Sequence, residues 1–163
     1  MTYDARAIAN VFLDYAQKTG RKISLLSLLK IIYFAQGWHL AKFGESLIEQ
    51  PFEAWRYGPV IRSVWEAFKD EADKAEIMTR AQKFSPETGS LLPLQECIDP
   101  NIHTFLLSIF DSYSRFSPFE LTQMTHELGS PWHVVWHSQG VSLGMQIDNG
   151  LIRKWFSSSK TFH

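Results

Sequence analysis

With 163 residues, of which 45% are hydrophobic and 14% aromatic, the chain is long and apolar enough to fold as one domain spanning residues 1–163. The formal net charge of −1 provides no electrostatic attraction to nucleic acid or to an anionic membrane, so neither is an expected partner. The single cysteine, Cys97, excludes an intramolecular disulfide, and we find neither a signal peptide nor an apolar run of about 18 residues, so we expect a soluble cytoplasmic protein.

The first predicted element is an amphipathic helix that begins at Asp4 and ends before Gly20. Its apolar side chains recur at the i, i+3, i+4, i+7 and i+8 spacing of one helical face: Ile8, Val11, Phe12, Tyr15 and Ala16. This pattern predicts that one side of the helix packs against a core.

The second predicted helix runs from Ser24 to Gly44 and carries apolar side chains around nearly its whole circumference. Such a helix is buried, so we expect the rest of the chain to pack around it. Two polar side chains, Gln36 and His39, fall within its main apolar face and need buried hydrogen-bonding partners. The other polar residues form a thin strip on the opposite side: Ser24, Ser27, Lys30 and Lys42.

Residues 45–57 are predicted to form a loop with a short strand, because Pro51 disfavours helix and side chains alternate after it. Gly58–Pro59 is then predicted to open a helix with proline in its first turn. The inner face of that helix would consist of Ile61, Val64, Trp65 and Phe68.

Residues 75–98 are the least informative part of the sequence. Ile77–Thr79 is a candidate to pair with the segment near Phe52 as a small hairpin, whereas residues 85–90 are typical of a turn.

The rest of the chain contains four N-capping signals for helices: Asp99, Ser117, Ser130 and Asp148. Ser117 and Glu120 form a capping box, and the helix they open is predicted to end at Gly129 with Leu121, Met124 and Leu128 facing inward. A glycine-bearing loop at residues 140–144 precedes the last helix. These elements predict an all-α fold, about seven helices around one buried central helix, with at most a minor β-hairpin.

Two pairs of residues are candidates for chemistry. His133 and His137 have the i, i+4 spacing at which two imidazoles reach one metal ion, but a zinc protease needs glutamate where Val134 stands. A structural metal with His126 or Glu127 as third ligand stays open, and so does acid–base chemistry by that second pair. The plainer interpretation is that all four are polar positions on amphipathic helices.

Residues 52–60 are rich in residue types found at protein interfaces. Trp, Tyr and Arg are enriched at binding hot spots, and connecting segments lie at surfaces. We therefore take Trp55, Arg56, Tyr57 and Pro59 as candidate partner-binding residues. The alternative is that Trp55 and Tyr57 fold back onto the helices and serve packing.

Three segments of the chain are similar to motifs of a single family. Residues 28–41 read L-L-K-I-I-Y-F-A-Q-G-W-H-L-A, like that family's K-L-L-Y-F-A-Q-x-x-H-L-A core, and residues 52–60 read F-E-A-W-R-Y-G-P-V, like its A-W-x-Y-G-P-V segment. Residues 121–132 carry L-T, T-H-E and P-W in order, like its L-T-H-x-x-x-P-W ending, although E-L-G-S separates His126 from the proline. The chain thus resembles the Panacea domain family of toxin–antitoxin systems, which includes SocA-like antitoxins.

The resemblance implies a bacterial or prophage antitoxin that neutralises a toxin encoded nearby by binding it directly. Some relatives are instead adaptors that deliver the toxin to a protease of the ClpXP type. Neither role needs a catalytic residue, a metal or a cofactor, so none is expected. Two alternatives stay open: an enzyme or metal-dependent factor that uses the histidine group, and a mobile-element scaffold protein whose partner is not a toxin.

On this interpretation the polar side chains of Gln36, His39 and His126 are structural ties and not reactive groups. We expect His126 to pair with Gln36 or His39, and we expect the three, with Trp55 and Tyr57, to connect the A-W-R-Y-G-P segment and the T-H-E turn to the central helix. The ties would then lie beneath a binding surface.

Overall fold

A computed structural model describes residues 1–138 and 145–159. Within these ranges the helices are α1 (Ala5–Lys18), α2 (Leu25–Phe43), α3 (Arg62–Phe68), α4 (Pro100–Tyr113), α5 (Pro118–Thr125), α6 (Pro131–Trp136) and α7 (Asn149–Ser158). The strands are β1 (Phe52–Trp55), β2 (Gly58–Val60), β3 (Gln82–Ser85), β4 (Ser90–Pro93) and β5 (Gln146–Ile147). The fold is therefore mainly helical with small antiparallel sheets, which corrects the all-α expectation.

Helix α2 forms where the sequence predicts it because both of its ends are capped. The Ser24 hydroxyl accepts from the Ser27 backbone N–H, and Gly44 ends the helix in the left-handed conformation, with φ of 72°. The helix packs against α1, α3, α4, α5, α7 and β2, so side chains are buried all around it. No helix in the described ranges, α2 included, is both long and apolar enough to cross a bilayer.

Helix α7 lies against α2 at a point where α2 has no side chain. The Phe156 ring covers Gly37 and makes edge-to-face contacts with Tyr33 and Trp38, at centroid distances of 5.6 and 5.2 Å. A Cβ at position 37 would overlap the Phe156 ring carbons. Gly37 therefore sets how closely the two helices approach.

The first sheet has the strand order β2-β1-β5 and corrects the prediction of a helix starting at Gly58–Pro59. β1 and β2 form a hairpin in which Trp55 pairs with Gly58, and Phe52 at the other end of β1 pairs with Ile147 of β5. A proline is tolerated in β2 because β2 is an edge strand. The helix that follows begins later, at Arg62.

The predicted pairing of Ile77–Thr79 with the segment near Phe52 is wrong. The Ile77 N–H donates instead to the Ile23 carbonyl at 2.9 Å, and the Glu71 carboxylate accepts from the Met78 N–H at 2.7 Å and from the Thr79 hydroxyl. A second sheet is formed by the β3–β4 hairpin, whose connection contains the turn predicted at residues 85–90.

The four predicted N-caps are confirmed, since each side chain accepts from a backbone N–H of its helix: Asp99, Ser117, Ser130 and Asp148. The capping box of Ser117 with Glu120 is also confirmed. The end predicted for this helix is wrong, because α5 stops at Thr125 and leaves Leu128 82% exposed. The predicted loop at residues 140–144 lies outside the described residues.

The contact of Gly37 with Phe156 generates a stability prediction. Glycine to alanine in a helix interior is ordinarily stabilising by up to about 1 kcal/mol. Gly37→Ala is expected to lower the free energy of unfolding by roughly 1–3 kcal/mol instead, because the added methyl overpacks the α2–α7 contact. Urea unfolding followed by circular dichroism measures the change.

The double variant Gly37→Ala/Phe156→Leu is the control, since the smaller side chain makes room for the methyl. The free energy of unfolding that the double variant loses should be smaller than the sum of the two single losses. Strict additivity of the two losses would contradict the proposed overlap.

Candidate functional site

The candidate site is an apolar groove of about 320 Å³ at the N-terminal end of α2, beside the β1–β2 hairpin. Its walls are aliphatic side chains of α2 and aromatic rings of the hairpin and α3: Leu25, Leu26, Leu29, Trp55, Tyr57 and Trp65. The groove thus brings the predicted interface residues against the buried helix.

The hairpin turn presents two of the predicted partner-binding residues. Arg56 and Tyr57 occupy the two positions between Trp55 and Gly58, and Gly58 adopts φ of 112°, which favours glycine. Tyr57 is 59% exposed, with the Arg56 guanidinium 5.4 Å from its ring centroid. Both side chains are therefore available at the surface.

Trp55 and Pro59 are less exposed than the two turn residues. Trp55 is half-buried, with its ring 5.8 Å from that of Trp65 and the Arg62 guanidinium 5.2 Å from its centroid. Pro59 is buried within β2. Three of the four predicted residues line the groove, and Pro59 does not.

Lys30 is the residue of this site that sequence reasoning missed. The sequence suggested a polar strip, yet Lys30 is 0% exposed, and its Nζ donates to the Pro59 carbonyl at 3.2 Å. Burial lowers the pKa of Lys30 to about 7. Its i±3 and i±4 neighbours include Leu26, Tyr33 and Phe34, and that apolar setting is the signal that could have identified a buried lysine.

Gly58 is required where the lysine meets the hairpin. A Cβ at this position would lie 2.6 Å from Lys30 Cε and 2.8 Å from Thr125 Oγ1. The end of the Lys30 side chain is therefore enclosed between α2, the hairpin and the end of α5.

His126 also borders this enclosed region. Its ring stacks on Trp132 at a centroid distance of 3.7 Å, and its Nε2 is buried with no hydrogen-bonding partner in the described part of the chain. Burial lowers the pKa of His126, and the positive charge of Lys30 lowers it further. Trp132 in turn donates from Nε1 to the Trp55 carbonyl at 2.7 Å, which connects the α5–α6 turn to the hairpin.

Gln36 does not have the partners expected from the sequence. Its side-chain oxygen accepts from the backbone N–H groups of Leu47 and Ile48 at 2.9 and 3.2 Å, and its amide donates to Ser46 and Asn149 at 2.8 and 3.1 Å. Gln36 thus connects α2 to the segment before β1 and to α7, not to His126 or the hairpin.

His39 binds the same segment, which connects α2 to β1. Its Nδ1 donates to the Glu45 carbonyl at 2.7 Å, and burial lowers the pKa of the imidazole. The expected pairing of His126 with Gln36 or His39 is therefore wrong, because both partners are occupied by the chain that follows α2. The polar connection between α2 and the hairpin comes from Lys30.

The residues considered for catalysis or metal binding are spread around the α5–α6 turn. The rings of His133 and His137 are 4.4 Å apart, and His133 Nδ1 accepts from the Gly129 N–H at 3.3 Å. Glu127 is exposed, whereas the His126 ring is held against Trp132. Across residues 1–138 and 145–159, no three His, Cys, Asp or Glu side chains are grouped so that they could hold a metal ion.

Comparison with known proteins gives two matches. The sequence model of one family, Antitoxin SocA-like, Panacea domain, matches residues 28–133. The chain is 35% identical over 142 residues to Antitoxin SocA of Caulobacter vibrioides (strain NA1000 / CB15N), an alignment that covers 87% of this chain and 75% of that protein. No solved structure matches. The family match includes Lys30, the β1–β2 hairpin and the His126–Trp132 stack.

The buried lysine predicts a specific dependence of stability on pH. In the unfolded chain Lys30 has its ordinary pKa of 10.5, and in the folded chain its pKa is about 7. Between these values the unfolded chain binds more protons, so the free energy of unfolding should rise with pH, by up to roughly 1.4 kcal/mol per unit. Urea titrations between about pH 7.5 and 9.5 measure the slope.

The matched variants are Lys30→Met and Lys42→Met, since Lys42 is an exposed lysine on the same helix. Lys30→Met should flatten the slope, and Lys42→Met should leave it unchanged. An unchanged slope in Lys30→Met would show that the lysine is protonated in the folded chain.

The bonds of Gln36 generate a second stability prediction. Gln36→Met is expected to lower the free energy of unfolding by roughly 2–4 kcal/mol, because the N–H groups of Leu47 and Ile48 lose their acceptor. Thermal and urea unfolding measure the loss. Gln123→Met, at an exposed position of α5, should change stability by less than about 0.5 kcal/mol. Equal effects of the two variants would contradict this role of Gln36.

Proposed function

Because the chain belongs to the SocA-like antitoxin family defined by the Panacea domain, we propose that it neutralises a toxin encoded nearby by binding it directly. The proposed activity takes place in the bacterial cytoplasm and is not enzymatic. The partner is a protein, and the surface that receives it is the groove with its Arg56–Tyr57 turn.

The observation that carries this proposal is the apolar groove, with large aromatic side chains at its rim. Tyr57 is 59% exposed although it is a large aromatic residue, and Trp55 and Trp65 line the same groove. Aromatic and arginine side chains around a desolvated pocket are the typical composition of a binding hot spot. A groove of this size accepts a few side chains of a protein partner.

The hairpin that forms the groove wall is held at three points, which supports its role as a preformed surface. The Trp55 and Pro59 carbonyls accept from Trp132 and Lys30. Glu53 forms two hydrogen bonds with the Arg62 guanidinium, at 2.9 and 3.1 Å. A surface that is already ordered avoids part of the entropy cost of association.

The proposal is tested by co-expression with the neighbouring reading frame. The neighbour alone should arrest growth, co-expression of this chain should restore growth, and the two proteins should co-purify. A neighbour that is harmless alone, or that does not co-purify, would contradict the antitoxin assignment.

Two routes of neutralisation can be distinguished by comparing growth rescue and toxin half-life in cells with and without ClpXP. If binding blocks the toxin, the toxin accumulates in the complex and growth is restored whether or not ClpXP is present. If the chain is an adaptor, toxin half-life shortens and rescue requires the protease. Both routes begin with binding at the groove, so the dependence of rescue on the protease is the measurement that separates them.

The exposed turn generates a prediction about partner binding. Tyr57→Ala should weaken toxin binding about tenfold or more while leaving the melting temperature nearly unchanged, because the side chain is mostly exposed in the free protein. Isothermal titration calorimetry and thermal unfolding measure the two quantities.

Phe84→Ala is the matched control, since Phe84 is 57% exposed but lies on β3 of the other hairpin. It should bind the toxin as tightly as the unmodified chain. A loss at Phe84 equal to that at Tyr57, or a larger change in melting temperature than in affinity for Tyr57→Ala, would place the interface elsewhere.

A further inference from the structure

The β3–β4 hairpin is exposed along its length although its base is held in the core. Each residue of its two strands is exposed or half-buried, and Phe84 and Leu91 are 57% and 58% exposed. At the base, the buried Asn10 side chain of α1 donates to the Ala81 and Leu94 carbonyls and accepts from the Ala81 N–H, each at 2.9 Å. Packing within one chain therefore does not account for the apolar side chains that this fixed hairpin presents.

The hydrogen-bond pattern of the hairpin shows which backbone groups of β4 face outward. The Leu94 N–H donates to the Ala81 carbonyl at 2.8 Å. Hydrogen-bonded and non-hydrogen-bonded pairs alternate along an antiparallel ladder, so the N–H and C=O of Leu91, three residues before Leu94, point away from β3. Pro93 has the same orientation but no N–H. In the described part of the chain β4 has no second neighbour, so Leu91 offers one outward donor and one outward acceptor.

β4 is also the edge of this hairpin that lacks a protective charge. Residues 88–95 contain no charged side chain, whereas β3 contains Lys83. A lysine on an edge strand disfavours pairing with another chain, and an exposed apolar edge without one favours it. The edge of β4 therefore fits a strand that is itself uncharged.

We infer that β4 pairs antiparallel with β4 of a second copy of this chain, about a twofold axis at Leu91, so that a four-stranded sheet crosses the dimer. The outward donor and acceptor of Leu91 then meet the same two groups of the second copy in one isologous contact. A longer strand of another protein would lie opposite Pro93, which has no N–H, and Gly89, whose N–H is already bonded within the turn. The single outward pair thus selects a second copy as the occupant.

Side chains on both faces of the proposed sheet agree with this register. Phe84 and Leu91 are directly opposite in the hairpin, so on one face the apolar row continues through the second copy's Leu91 and Phe84. On the other face Leu92 lies beside the second copy's Ser90, and Lys83 meets no second lysine. A two-stranded hairpin alone is marginally stable in water, and a four-stranded sheet with a continuous apolar row is more stable.

The proposed contact is small and separate from the groove. Each copy contributes two strands of four residues, fewer than the roughly 20–30 residues a side of a stable interface, so we expect a reversible dimer with a dissociation constant on the order of 100 µM. None of the described residues that line the groove belongs to β3 or β4. The inference therefore does not depend on the proposed function.

Sedimentation equilibrium between about 10 µM and about 1 mM tests the dimer. The average mass of the unmodified chain should rise from one chain toward two. Leu91→Lys places two like charges opposite each other, and Leu91→Pro removes the outward N–H, so each should weaken dimerisation about tenfold or more while the melting temperature stays nearly unchanged.

Leu128→Lys is the matched control, since Leu128 is an 82% exposed leucine in the α5–α6 turn. It should dimerise like the unmodified chain. An unmodified chain that stays monomeric up to about 1 mM, or an equal loss in Leu128→Lys and Leu91→Lys, would overturn the inference.

Cross-linking tests the register directly. In a Cys97→Ser background, Leu91→Cys should form a disulfide-linked dimer under mild oxidation, because paired residues lie about 5.5 Å apart between Cα atoms, within disulfide range. Phe84→Cys has nearly the same exposure, but the two copies of this position would be three strand spacings apart, about 14 Å, and should not cross-link. Equal cross-linking at the two positions, or none at Leu91→Cys, would overturn the proposed pairing.

The toxin of the neighbouring reading frame is the competing occupant of this edge. If the chain stays monomeric and Leu91→Lys weakens toxin binding about tenfold or more, β4 is a toxin contact and the inference is overturned. Tyr57→Ala should leave dimerisation unchanged, and loss of the dimer in that variant would place the dimer contact at the groove instead. If the chain dimerises through β4 but binds no toxin, the proposed function fails and the dimer stands.

Discussion

The fold depends on covering α2 on every side. A helix with a single apolar face needs one partner layer, but α2 buries side chains all around its axis and therefore needs partners in several directions. Helices α1, α3, α4, α5 and α7 and the edge strand β2 supply them. The groove lies at the N-terminal end of α2, and its lining includes Leu25 and Leu29, which belong to the core.

Polar side chains of α2 fix the positions of segments that pack around it. Gln36 accepts from the backbone N–H groups of Leu47 and Ile48 and donates to the side chains of Ser46 and of Asn149 at the start of α7, so one amide positions two distant segments. Lys30 has the same role for the hairpin through Pro59. The candidate binding surface is thus built on a hydrogen bond that begins inside the core.

Features encoded within one or two turns of chain could be predicted from the sequence, and features that depend on distant segments could not. The caps at Asp99 and Ser117 are local hydrogen bonds, and they appear as predicted. Gly58–Pro59 was wrongly predicted to open a helix, because a Gly-Pro pair fits the first turn of a helix as well as the edge strand that it forms here. Residue type alone identified Trp55 and Tyr57 as candidate binding residues. The burial of Lys30 was missed because it depends on three separate elements of the fold.

The sequence separation between α2 and α7, which packs against it, has a consequence for protein synthesis. Gln36 and its partner Asn149 are 113 residues apart, and the ring that covers Gly37 comes from the same late helix. A nascent chain that has completed α2 therefore exposes an apolar helix surface until translation reaches α7. Products of premature termination would keep that surface exposed, which would make them targets for chaperones and proteases.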